Sequence, residues 1–174
     1  MLRIILPDFI SKQSDEFPCL STDLLADDKM LKRFEIHPGD ELLCLGYPLG
    51  AEANEAGFSI LRSGRIASFP LTPSSEIKSF LFDFEVFEGN SGGPVYFVQS
   101  GRYYGGKIHF EETIQFVAGV VTEERFQVQR SVTPIEVSRD RVKYEVEEKR
   151  EKLKLAVVVP SQFIKETLDL LEKK

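Results

Sequence analysis

The chain has 174 residues, with 22 basic against 28 acidic side chains, a formal net charge of −6, and 42% apolar and 29% charged content. That is globular composition, enough for one domain or two very small ones, and its acidity excludes the basic footprint of a nucleic-acid or anionic-membrane binder. Two cysteines, Cys19 and Cys44, and two histidines, His37 and His109, exclude a Cys/His zinc cage and a disulfide-dense scaffold and allow at most one disulfide.

In chain order, Met1 to Leu6 is an apolar run before Pro7-Asp8. It has no h-region or small-residue cleavage site and reads as a buried strand rather than a signal peptide. Residues 7–40 read as irregular, punctuated by Pro7, Pro18, Pro38 and Gly39, with at most a short helical turn between Leu24 and Phe34. Glu41 to Leu45 reads as a buried strand, Ala51 to Gly57 as a loop, and Ser59 to Phe69 as a strand broken at Gly64. From Ser79 to Val86 the pattern alternates, with Phe80, Phe82, Phe84 and Val86 on one face and Asp83 and Glu85 on the other. Pro94 to Val98, Arg102 to Phe110 and Thr113 to Val121 read as strands, and Phe126 to Val128 and Val142 to Val146 as weaker ones. Residues 139–154 are so charged that they form a solvated hairpin or loop; Leu155 to Val159 is a buried strand.

The period then changes. Ser161 is placed to cap a terminal helix over 161–173, with Phe163, Ile164, Thr167, Leu168 and Leu171 as its apolar stripe and Lys173 and Lys174 at the negative end of its dipole. Many short strands and one helix predict a single all-β domain over 1–174 with a C-terminal α-helix, an antiparallel barrel or sandwich. No apolar run reaches the roughly 20 residues that span a bilayer.

One stretch carries chemistry: Gly89-Asn90-Ser91-Gly92-Gly93-Pro94. Three glycines leave the backbone around Ser91 nearly bare, open to positive φ and to close approach by another molecule. An exposed hydroxyl beside outward-pointing N–H groups meets the needs of a nucleophile at an oxyanion hole. At average usage this hexapeptide arises by chance in such a chain with a frequency on the order of 10⁻⁵.

The hexapeptide resembles the nucleophile motif of trypsin-like serine proteases, above all the bacterial high-temperature-requirement (HtrA/Deg) branch. Pro38-Gly39-Asp40 with Leu42 to Gly50 looks like that branch's "V-G-D … A-I-G-N-P-F-G" stretch. Ser63-Gly64-Arg65-Ile66-Ala67-Ser68 looks like its "S-G-I-V-S" strand, Ala118 to Val121 like its "G-I-V" strand, and Val158-Val159-Pro160-Ser161 like its "F-A-I-P-S". The resemblance implies the C-terminal six-stranded antiparallel β-barrel of a chymotrypsin-like two-barrel fold. It implies Ser91 as nucleophile and the N–H groups of Gly89 and Ser91 as the oxyanion hole. Val121, Thr122, Glu123 and Glu124 would pair with substrate backbone as an added strand. Glu85, six residues before Ser91, would lie near the base of the specificity pocket and favour a basic substrate side chain; read without the resemblance, it is a glutamate on a solvated strand face. No metal or other cofactor is implied.

The base is the gap. A serine hydroxyl needs an acceptor for its proton, and the family takes it from a histidine held by an aspartate, both upstream of the serine. His37 lies in a His-Pro-Gly-Asp turn and His109 in a strand after the serine, and neither has the family's "T-A-A-H" setting. Met1-Leu2-Arg3-Ile4 looks like the tail of the family's "D-[IL]-A-[LV]-L-[RK]-[IVL]" string with the aspartate removed. The expectation is therefore a serine endopeptidase represented by its C-terminal barrel, inactive alone. Its partners would be a peptide or protein substrate, with the missing N-terminal barrel or a second copy on the exposed barrel face, and no nucleic acid or membrane. The alternatives are a non-catalytic peptide-binding module derived from such a protease and an unrelated barrel with a chance glycine-rich turn. Cytoplasmic location would follow if Met1 is the native start.

Overall fold

The computed structural model describes residues 20–138 and 141–172. The expected strand at Met1 to Leu6, a pairing of Cys19, and the terminal Lys173 and Lys174 lie outside the described residues. Six strands form the body: β1 (Glu41–Gly46), β2 (Ile60–Ile66), β3 (Phe80–Asp83), β4 (Pro94–Tyr104), β5 (Lys107–Ser138) and β6 (Arg141–Pro160). All pair antiparallel, in the order β1-β2-β3-β6-β5-β4, and β4 returns to β1 so that the ring closes. Two α-helices join it among the described residues, α1 (Asp28–Arg33) and α2 (Ser161–Glu172). No helix of the described residues is long and apolar enough to cross a membrane.

Strand alternation divides the apolar side chains into two sets. Leu42 and Cys44 of β1, Phe82 of β3, Val95 and Phe97 of β4, Phe116 and Val121 of β5 and Val158 of β6 point inward and form the main core. Phe97 stacks on Phe116 at 5.0 Å between centroids and Phe82 on Phe84 at 4.9 Å. The opposite faces carry Leu43, Leu45, Tyr96 and Val117, and these pack with Leu25 and with Ile164 and Leu168 of α2. The helix thus covers one outer flank of the ring.

Several expectations change in contact with the fold. The strand over 59–69 is not broken at Gly64, which pairs with Leu42 inside an unbroken β2. Glycine stands there because a Cβ would be driven into the Asp83 carbonyl oxygen and the Phe82 ring. Residues 102–110 are not one strand but two, turned at Gly105-Gly106 between the paired Tyr104 and Lys107. Ser161 does not cap α2 from outside; it is the helix's first residue, wholly buried, and its hydroxyl lies 2.8 Å from the Ala26 carbonyl and 2.7 Å from that of Val117. Of the expected stripe, Ile164 and Leu168 pack inward, whereas Leu171 stays two-thirds exposed. The short turn expected between Leu24 and Phe34 is α1, capped by Asp27, whose carboxylate accepts the Met30 N–H at 2.8 Å.

The largest departure is the reach of β5 and β6. The separate weak strands and the charged hairpin expected over 126–154 form one continuous ribbon, paired from Phe126↔Lys152 to Ser138↔Arg141. At strand rise it extends roughly 40 Å from the ring. The ladder slips between Val121 and Glu123 and again between Glu124 and Phe126, where the ribbon leaves the body.

Candidate functional site

The 89–93 turn sits where the end of β1, the start of β4 and the middle of β5 meet. Gly89 has φ +91, and a Cβ there would collide with the Tyr47 carbonyl oxygen, so only glycine fits. Its own carbonyl accepts the Tyr47 N–H at 3.1 Å, and the Glu88 carbonyl accepts the Leu49 N–H at 2.6 Å, fastening the turn to the chain that leaves β1. Asn90 is 1% exposed. Its side-chain oxygen accepts the Phe87 N–H at 2.9 Å, its own N–H donates to the Phe87 carbonyl at 3.0 Å, and its carbonyl accepts the Gly93 N–H at 2.9 Å. On the other side the Gly92 N–H donates to the Val121 carbonyl at 2.7 Å and the Val121 N–H to the Gly93 carbonyl at 3.0 Å.

These bonds sort the amides. Asn90, Gly92 and Gly93 donate into the protein. Gly89 and Ser91, the two expected oxyanion donors, donate to no acceptor among the described residues. The Ser91 side chain is exposed, and its hydroxyl donates at 3.3 Å to the Thr122 carbonyl. Thr122 in turn donates through Oγ1 to the Val157 carbonyl at 3.2 Å. The turn therefore brings Ser91 beside Val121 and Thr122, with Glu123 and Glu124 next along β5.

The other expected positions are spread out. The Glu85 carboxylate lies 3.7 Å from the Lys154 ammonium, and its backbone carbonyl accepts from Arg62 at 2.8 Å. The Glu124 side chain is 6% exposed; Lys152 reaches one of its carboxylate oxygens at 2.8 Å, and the other has no hydrogen-bond partner among the described residues. His37 lies before β1, in a turn held by Gly39 to the far end of β2. Ser91 is fastened past the opposite end of β1, so roughly 17 Å or more separates them. His109 pairs with Arg102, eight residues along β4 from Pro94, roughly 25 Å away. It stacks on Tyr104, and both its Nδ1 (3.3 Å) and the Tyr104 hydroxyl (2.5 Å) approach Glu112. Neither imidazole serves Ser91. Among the described residues no group of three or more His, Cys, Asp or Glu is arranged to hold a metal.

Two contributors have no signal in the sequence. Tyr47 fixes the Gly89 carbonyl through its backbone, an act any residue could perform. Lys154 sits at φ 57, a left-handed conformation with no glycine or asparagine to announce it. Asn90 was visible within the hexapeptide, but its role as the internal clamp of the turn emerges only from the bonds.

Cys44 lies behind the turn, 1% exposed, and burial pushes its thiol from an ordinary 9.0 to about 11 despite the opposing pull of Arg62. It is a packing residue, and its raised thiol makes it a poor nucleophile. Between roughly pH 9 and 11 the unfolded chain releases a proton that the folded chain keeps, so this site's stability is full below pH 9 and lost as pH rises. Unfolding free energies of the wild type and Cys44→Ala should therefore differ by a constant up to about pH 9. Above it the wild type should fall faster, by up to about 1.4 kcal/mol per pH unit. A pH-independent difference measured by urea denaturation would contradict the assignment.

No family model, curated protein or solved structure matches the chain.

Proposed function

We propose that the chain supplies the nucleophile half of a serine endopeptidase, as the C-terminal barrel of a chymotrypsin-like pair. Ser91 attacks the peptide carbonyl, and the Gly89 and Ser91 N–H groups receive the oxyanion. The observation that carries this reading is the sorting of amides at the turn: Gly89 and Ser91 keep their N–H groups unspent beside an exposed hydroxyl, while those of Asn90, Gly92 and Gly93 are consumed internally. The substrate backbone is held by Thr122 to Glu124.

Acylation has two steps, and water then cleaves the resulting Ser91 ester by the same two steps, releasing the acid and restoring the hydroxyl. The Ser91 oxygen bonds to the carbonyl carbon as its proton passes to a base. The tetrahedral oxyanion then collapses, and the amine leaves with a proton. The base comes from outside these 174 residues, since both histidines are remote from Ser91. It enters with a partner that covers the exposed Tyr47, Leu49, Phe58 and Leu61 near the turn. Glu85 selects for a basic side chain only when Lys154 is displaced, because the ion pair neutralises it.

Free imidazole can stand in for the missing base. With it present, a fluorophosphonate probe should label the chain once, at Ser91, at a rate that rises with imidazole concentration, and should leave Ser91→Ala unlabelled. Labelling scattered over other serines, or absent at every imidazole concentration, would refute the proposal. The second reading, a peptide-binding module without catalysis, is favoured by one observation: the Ser91 hydroxyl is spent on the Thr122 carbonyl instead of a base.

A further inference from the structure

We infer that the free edge of β5 beyond the ring is a docking strand for extended polypeptide, and that it lengthens the substrate cleft on the N-terminal side of the bond held at Ser91. The inference rests on the proposed function for the identity of Ser91, but its own observations are separate. β4 pairs with β5 only as far as Pro94↔Val120. From there the same side of β5 is closed by the Gly92 and Gly93 bonds to Val121 and by the Ser91 contact with Thr122. Past Thr122, β5 is paired on one side only among the described residues, by β6. The open edge begins at the candidate nucleophile and, past the slips at Glu123 and Phe126, continues along the ribbon.

The ribbon's two free edges differ in chemistry. β6 from Val146 to Lys154 carries seven charged residues in nine, the kind of edge that repels an added strand. β5 from Phe126 to Thr133 carries one, Arg130, and Phe126, Val128, Val132 and Thr133 favour strand. Its even-numbered side chains Phe126, Val128 and Val132, with the paired Val146, make an apolar row that remains about half exposed. A two-stranded ribbon is marginal in water, and a third strand completes it. At the root of this edge, buried Glu124 keeps one carboxylate oxygen without a donor among the described residues. An incoming chain bearing a donor there would satisfy it. Every strand pair in the ring is antiparallel, and antiparallel addition points the peptide's C-terminal end at Ser91.

The test measures binding of fluorescein-labelled peptides to the full chain. The probes are a Val/Thr-alternating hexapeptide, with a terminal lysine pair for solubility, and two dodecapeptides that extend it at either its N- or its C-terminal end. N-terminal extension should tighten binding at least about tenfold, as six more cross-strand pairs allow, and C-terminal extension should not. Methylating alternate backbone nitrogens of the extension should abolish the gain in one phase of alternation and spare it in the other. Replacing 127–151 by Asn-Gly should make the hexapeptide and both dodecapeptides bind alike. Val128→Lys/Val132→Lys, which keeps the ribbon intact, should cut the gain below about threefold. Equal affinity of all three peptides for the wild type would overturn the inference even if Ser91 is labelled as proposed. A ribbon-dependent dimer in sedimentation, with no dependence on peptide length, would overturn it too and assign the edge to a second copy. Length dependence without Ser91 labelling would support the docking strand and count against the nucleophile alone.

Discussion

Arg102→Ala is expected to lower the unfolding free energy by about 3–5 kcal/mol, the cost of breaking a buried ion pair from one side. Arg102 is 5% exposed and spends all five of its donors. Nε donates to the Phe34 carbonyl at 2.6 Å. One terminal nitrogen donates to Gln99 at 2.6 Å and Asp40 at 3.0 Å, the other to the Glu35 carbonyl at 2.7 Å and Asp40 at 2.7 Å. One planar group thus ties β4 to the end of α1 and to the turn that launches β1. Removing it leaves the Asp40 carboxylate, whose side chain is only 10% exposed, with the His37 N–H alone, and strands two carbonyls. Lysine cannot substitute, because an ammonium does not reproduce the planar fork. Urea denaturation near neutral pH measures the loss. The double variant Arg102→Met/Asp40→Leu should lose less than Arg102→Met alone, since no buried charge is left unpaired. A loss under about 1 kcal/mol for Arg102→Ala would mean that solvent already screens the pair.

Gly89→Ala should abolish imidazole-dependent labelling of Ser91, by a factor of about 10²–10³ or more, the scale of a lost oxyanion donor. The methyl group would be driven into the Tyr47 carbonyl, so the turn must move and take the Gly89 N–H with it. Gly50→Ala is the control. Gly50 also has positive φ (+76), yet a Cβ there meets nothing within 4 Å. It should cost about 1 kcal/mol of backbone strain and leave labelling near the wild-type rate. Equal labelling of Gly89→Ala and wild type would remove the Gly89 amide from the proposed chemistry.

The strand cores were legible because period-two alternation survives folding: Phe80, Phe82, Phe84 and Val86 are all buried, as their spacing requires. The 89–93 turn was legible as a cluster of glycines, since at Gly89 and Gly93 a side chain would not fit and Gly92 has positive φ. The ribbon was not. Its residues bury little, so no inside–outside pattern is imprinted on β6, and a run of charges reads equally as loop or strand. Gly64 misled for a related reason, because close approach of a neighbouring strand and a bend call for the same residue. The Glu85–Lys154 pair was invisible because the two lie far apart in sequence and meet only where β3 runs on toward the turn and β6 leaves the ring.

The Val117 carbonyl has a consequence for how the protein holds its ends. It receives the Ala26 N–H at 2.9 Å and the Ser161 hydroxyl at 2.7 Å, and that hydroxyl has one hydrogen to share between the Val117 and Ala26 oxygens. The segment entering the ring and the helix leaving it are therefore latched at a single atom in mid-β5. Peeling α2 away would take the shared hydroxyl from both carbonyls at once and loosen the lead-in segment, which keeps its own Ala26 N–H bond to Val117.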